Sequence, residues 1–159
     1  MNISQYVTQD KSNSGEWFPV ALYGKPVDFD LLILGDDSDA VQKYNRQVMR
    51  KLKGLLPKDG EAELDDKTFD EIAKSNDEAV IVRIAGIRGW AVERDSSEET
   101  GRTAVSSITI TDTATGAERE IKNDAESYRY LISKIPALKE FVLKIAKDRA
   151  NFLSGPSGN

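Results

Sequence analysis

Two carboxylate clusters are the first residues that invite a chemical reading: Asp28-Phe29-Asp30 and Asp36-Asp37-Ser38-Asp39. Oxygen-rich clusters hold Ca²⁺ or Mg²⁺ when several ligands converge, and the calcium-loop pattern also needs a central glycine and a distant glutamate, which do not fall in place here. Alternating aspartates suit the solvent face of a hairpin, and acids at a helix start complement the positive end of its dipole. The chain has no cysteine and no histidine, which removes disulfides, thiolate nucleophiles, the commonest zinc ligands and the commonest general base together. A nucleophile–base pair would have to come from Ser, Thr, Lys or carboxylates, and no GxSxG, SxxK or HExxH spacing occurs. The segment GIRGW (86–90) carries two glycines but not the GxxxxGK[ST] pattern of a phosphate loop. We therefore expect no catalytic residue, no cofactor site and no metal site, and a protein that works through its surface.

The charge pattern narrows the partners. A net charge of -5 argues against nucleic acid, whose phosphates need a basic surface. A local basic run, Lys43, Arg46, Arg50, Lys51, Lys53 and Lys58, reads as a solvated helix face beside an acidic block at 59–71. No apolar run is long enough to span a bilayer, and the polar start MNISQYVTQDKSNSGEW does not read as a signal peptide. A soluble protein of a reducing cytoplasm is the expectation. Hydrophobic residues make up 39% of the chain and charged residues 31%, which at 159 residues gives a single domain with a lean core, some of whose apolar surface a partner would complete.

The elements read as an α+β chain: two short β-hairpins with about four amphipathic helices, the last two forming a C-terminal pair. Residues 1–15 read as a flexible arm, 16–153 as the domain and 154–159 as a disordered tail. EWFPVALYGKPVDFDLLIL (16–34) gives a hairpin turning at Tyr23 to Pro26, with Pro19 placing its first strand at an edge. Asp37 or Ser38 caps a helix to about residue 55 whose apolar face is Val41, Tyr44, Val48, Leu52 and Leu55. A polar connector (57–66) leads to a second helix from Asp65 or Asp66, with Phe69, Ile72, Ala73, Ala79, Val80 and Ile84 on one face. Its β-branched end, EAVIVRIAG, also fits a strand, but the upstream phase carries through and favours a helix ending at Gly86 or Gly89. Trp90 to Val92 make a short strand, ERDSSEETGR (93–102) a loop, and residues 104–121 a second hairpin turning at Thr113 to Gly116. Asn123 with Glu126 forms a capping-box-like start for the next helix, and Pro136 opens the last one.

Aromatic residues supply the surface candidates: Trp17-Phe18, Trp90 and Phe152-Leu153. Trp90 is expected to pack on the core. In the last helix Leu138, Phe141, Val142, Ile145 and Phe152 share a side, and Phe152 falls where helices fray, so its cover comes from the hairpins or from another chain. Leu138, Phe141, Arg149, Phe152 and Leu153 are therefore the candidate partner-contact residues, with Phe152 as anchor and Arg149 orienting it.

Four segments carry a resemblance: Gly15-Glu-Trp-Phe-Pro19, Leu34-Gly-Asp-Asp-Ser38 before an amphipathic helix, Gly89-Trp90, and Asp148-Arg-Ala-Asn-Phe-Leu153 closing the last helix. In this order, over residues 15–153, they resemble the tail assembly chaperones of long-tailed bacteriophages. Where that family's pattern has a Thr/Ser-Pro-Glu-Asn-like helix start, this chain reads IKNDAE (121–126). The resemblance implies a protein that coats the long helical tape-measure protein, keeps it soluble, and gives way as tail-tube subunits polymerise. Such a protein self-associates, acts in the host bacterial cytoplasm and is absent from the finished virion. Several members also exist in a longer, frameshifted form. A structural tail or connector subunit retained in the virion is the alternative.

Overall fold

A computed structural model describes residues 3–55, 66–92 and 102–153 of the chain. The connector expected at 57–66, the loop expected at 93–102 and the tail at 154–159 lie almost wholly outside them. The fold is α+β: a four-stranded antiparallel sheet, a two-stranded one, and helices gathered on one side. In chain order the elements are α1 (Gln9–Ser14), β1 (Glu16–Leu22), β2 (Lys25–Ile33), α2 (Asp39–Leu55), α3 (Asp66–Ile81), β3 (Ile84–Val92), β4 (Arg102–Val105), β5 (Ile108–Thr111), β6 (Glu118–Ile121), α4 (Ala125–Lys134) and α5 (Ala137–Lys147). Short 3₁₀ turns at Ser4–Tyr6 and Arg149–Phe152 flank the set.

The large sheet runs β1-β2-β3-β4. β1 lies at its edge, where Pro19 removes no ladder bond that a central strand would need. The β1–β2 turn uses Tyr23 (φ 53°) and Gly24 (φ 75°), two successive left-handed residues of the kind that match the twist of a tight hairpin. Trp17, Leu32 and Gly86 are register neighbours, as are Pro19, Asp30 and Arg88. A side chain at Gly86 would sit 3.2 Å from the Trp17 ring, and one at Gly89 would press on Ile108 at 2.8 Å, so both glycines admit close neighbours inside a strand.

The core lies on one face of this sheet. Val20, Leu31, Ile33, Ile84 and Ile87 point into it and meet Val80 of α3, Leu131 and Ile132 of α4, and Leu138, Val142 and Ala146 of α5. Each large aliphatic buried this way contributes about 1.5–3 kcal/mol of transfer free energy.

Several expectations from the sequence are corrected. The helix read through EAVIVRIAG stops at Ile81, and the chain re-enters the sheet at Ile84 as the start of a central strand. Arg83 enforces the stop: its Nη1 donates to Ala79 O at 2.5 Å and its Nε to Asp36 at 2.8 Å, while its own carbonyl accepts from Leu34 N. Phe69, assigned to the buried face, is exposed, and its neighbour Thr68 is the residue of that first turn that is buried. Residues 104 and 105 belong to β4 and pair with β3, leaving β5 and β6 alone as the second hairpin. The residues read as a flexible arm contain α1, whose Ser12 is buried and donates no freedom to the chain: its carbonyl accepts from Gly35 N at 3.2 Å.

The start of α4 is capped by Asp124, which accepts from Ser127 N at 2.7 Å. Asn123, expected in that role, turns to the sheet instead. Its Oδ1 accepts from Ile87 N at 2.6 Å and from the Tyr128 hydroxyl at 3.0 Å, and its Nδ2 donates to Ser106 O at 3.2 Å. Burial, reinforced by the Asp124 charge, pushes the Tyr128 phenol up to about 12, so it stays a donor across the working range. Removing Asn123 orphans the amide of a central strand. Asn123→Ala should cost about 2 kcal/mol in urea unfolding, and more than Asp124→Ala, which removes only a solvent-accessible cap.

Candidate partner-binding surfaces

The closing segment DRANFL does not continue α5. The helix ends at Lys147, and Asp148 caps a separate turn by accepting from Ala150 N at 3.0 Å. Asn151 Nδ2 donates back to Ile145 O at 3.0 Å, which satisfies one of the helix's terminal carbonyls. The reversal folds Phe152 inward until it is 1 % exposed, edge-on to Phe18 with ring centroids 6.0 Å apart. A side chain at Gly35 would overlap Ser12 and stand 3.0 Å from the Phe152 ring, so this position has to be glycine for the two neighbours to meet.

Arg149 reaches across the surface to the β2–α2 loop. Its Nε and Nη2 donate to the two oxygens of Asp37 at 2.9 and 3.0 Å, while Thr8 Oγ1 donates to Asp37 Oδ2 at 2.5 Å. The Arg149 hydrogen bonds, then the Thr8 hydroxyl, hold the Asp37 carboxyl below the usual carboxylate range, against a smaller opposing effect of burial. Three other carboxylates of the two clusters are engaged too, while Asp28 is exposed. Asp30 accepts from Arg88 Nε at 2.9 Å, Asp36 from Arg83, and Asp39 from Gln9 and Asn13. Their partners are protein cations and amides, which accounts for the carboxylates as structural fasteners.

Of the five candidate contact residues, Leu138 and Phe152 are therefore core. Arg149 is 73 % exposed but already spoken for by Asp37, Leu153 is 38 % exposed, and Phe141 is half-buried. Phe141 lines a shallow cavity of about 290 Å³ with Leu22, Tyr23 and Lys144, where α5 passes the tip of the first hairpin. The partner-anchor role expected of Phe152 fails on geometry: the ring is buried against Phe18 of β1.

A different apolar surface emerges on the sheet face opposite the core. It carries Trp17, Leu32, Arg88 and Trp90, none of which belongs to the core cluster. The Arg88 guanidinium lies between the two indoles, 4.4 Å from the Trp17 centroid and 5.0 Å from that of Trp90, with Asp30 beneath it. Stacking of this kind is worth about 0.5–1 kcal/mol per ring at exposed sites, and it ties both indoles to one cation as an aromatic platform. Trp90, expected in the core, stands here because its neighbour Gly89 is the inward-facing residue. Sequence reading missed the platform as a unit: Trp17 and Arg88 come from strands that only the sheet register brings together. Trp17 is 38 % exposed.

Among the described residues no helix is long and apolar enough to cross a membrane. No family model, curated protein or solved structure matches the chain.

Phe152→Ala should unfold the protein by about 3–5 kcal/mol, the cost of a large cavity in a core, read as a lowered urea midpoint. Asp37→Asn should lower stability at neutral pH. Because the folded carboxyl titrates below its unfolded value of about 3.9, the contribution is fully present above that value and disappears as pH falls through the depressed folded one. Unfolding curves of the parent and the variant should thus separate at pH 7 and converge in strong acid.

Proposed function

We propose that this protein is a tail assembly chaperone of a long-tailed bacteriophage, a binding protein without a chemical step. It coats and solubilises the tape-measure protein in the host bacterial cytoplasm, helps recruit tail-tube subunits and is absent from the mature virion. The observation that carries this reading is spatial. Three segments of the resemblance, far apart in sequence, meet at one junction: GEWFP supplies Phe18, LGDDS supplies Gly35 and Asp37, and DRANFL supplies Arg149 and Phe152. Scattered short matches that build one packed unit support shared ancestry better than the same matches spread over unrelated surface would. The fourth, Gly89-Trp90, lies in the aromatic platform, with Gly89 inward and Trp90 beside Arg88.

The platform is the surface we assign to the tape measure. A long helical rod presents apolar stripes that aggregate when bare, and two indoles held by a guanidinium offer apolar area that such a stripe can cover. The expected outcome concerns a chaperone tagged at its N-terminus and expressed during tail assembly. It should bring down several copies of itself per tape-measure protein, identified by mass spectrometry, and be missing from purified particles. Trp17→Ala with Trp90→Ala should abolish that capture while circular dichroism stays that of the parent. Stoichiometric presence in the virion would instead make it a structural tail subunit, and undiminished capture by the double variant would move the contact off the platform.

A further inference from the structure

Three exposed residues on α2 and three on α3 share one spacing and have opposite chemistry: Arg46, Met49 and Arg50 against Asp66, Phe69 and Asp70. Each set is an i, i+3, i+4 triangle, so its two charges lie about 6 Å apart along the axis with an apolar side chain beside them. Met49 is 69 % and Phe69 56 % exposed. None of the four charges forms an ion pair with another described residue, although Lys51, next to Arg50, binds Glu71 at 2.6 Å. Exposed Lys43 and Lys53 extend the cationic stripe to about 15 Å.

The two sets face away from each other. α2 meets α3 through Tyr44, whose hydroxyl donates to Ser75 O at 2.5 Å, through Lys51, and through Val48 in the wall of a cavity of about 190 Å³ between the helices. Arg46 and Arg50 lie two residues either side of Val48, about 200° around the helix from it. Asp66, Phe69 and Asp70 are turned about 120–180° from Ser75 in the same way. The two sets therefore do not meet within one copy, and they occupy opposite flanks of the α2–α3 hairpin.

We propose that these flanks are the two halves of a contact between copies of this chain. The α2 set of one copy seats on the α3 set of the next, with Arg46 and Arg50 against the carboxylates of Asp66 and Asp70 and Met49 on Phe69. A second copy fits better than a nucleic acid, whose phosphates would leave Met49 against water or charge, because the chain itself carries the matching set with its own apolar centre. A contact that uses different surfaces on its two sides is heterologous, so it propagates into a ring or a helical filament rather than closing as a dimer. It gives the self-association of the chaperone reading a surface. Its test uses purified protein alone, so it stands or falls separately from tape-measure binding.

The experiment is sedimentation velocity of the full chain across ionic strength. At low salt the parent should reach masses several-fold above the 17.6 kDa of one chain and return to monomer as salt screens the pairs. R46E/R50E and D66R/D70R should each be monomeric with unchanged circular dichroism, since each then opposes like charges. Mixed in equal amounts they should assemble again, because both the native and the reversed pairing become complementary. Assembly of either variant alone at the parent's level, or failure of the folded mixture to assemble, overturns the contact. Should a reversed variant not fold, the parent decides it: a monomer at low salt, or association that persists or grows with salt, also overturns it.

Discussion

Between β2 and α2 the chain passes through Gly35 to Asp39, and the distant ends of the fold are fastened to those five residues. Gly35 has no side chain, so Ser12 of α1 and Phe152 of the closing turn approach the backbone from two directions. Asp36 receives Arg83 and its amide donates to Ala146 O at 3.0 Å; Asp37 receives Arg149 and Thr8; Ser38 caps α2 through Val41 N; Asp39 receives Gln9 and Asn13. Individually, exposed pairs of this kind are weak. They count here because several of them join segments far apart in sequence, up to 112 residues in the Arg149–Asp37 pair.

The sheet itself is asymmetric. All three core helices, α3, α4 and α5, pack on the face that carries Leu31, Ile33 and Ile87, and the opposite face keeps its aromatic residues. Antiparallel sheets tolerate such one-sided burial, but an uncovered face normally alternates to polar residues. Here two indoles occupy it with an Arg88–Asp30 pair beneath. Within the sheet the nearly buried Asp30 carboxylate accepts from Arg88 Nε at 2.9 Å, and the Arg88 guanidinium in turn stacks on both rings. Packing and display are thus divided between the two faces of a single layer.

The helical hairpin α2–α3 divides its charge in a comparable way. Opposite charges face each other at the Lys51–Glu71 pair inside the hairpin, while the outward flanks carry Arg46 and Arg50 on one side and Asp66 and Asp70 on the other. A chain with modest net charge can in this manner hold strong local fields, and it is the local field, not the total of -5, that decides what can approach a given flank.

The residues alone determined what is local. Pro19 at an edge strand, the Tyr23-Gly24 turn, the span of α2, the turn near Gly116 and the start of α5 after Pro136 follow from backbone preference and short-range periodicity, which operate within a few residues. The missing histidine and cysteine and the dispersed motifs were equally plain. What the sequence could not decide was set by pairing at a distance. Ile84 to Val92 is β-branched enough for either state and became a strand because β2 and β4 lie on both sides of it. Asn123 and Asp124 are both competent caps, and only the nearness of the Ile87 amide assigned one to the sheet. Phe152 looked like an exposed end because its cover, Phe18 and the bare backbone of Gly35, lies more than a hundred residues earlier in the chain. Trp17, Arg88 and Trp90 become one platform only through the sheet register. Periodicity reports which face of an element is apolar; which neighbour covers that face, or whether any does, is a property of the packed whole.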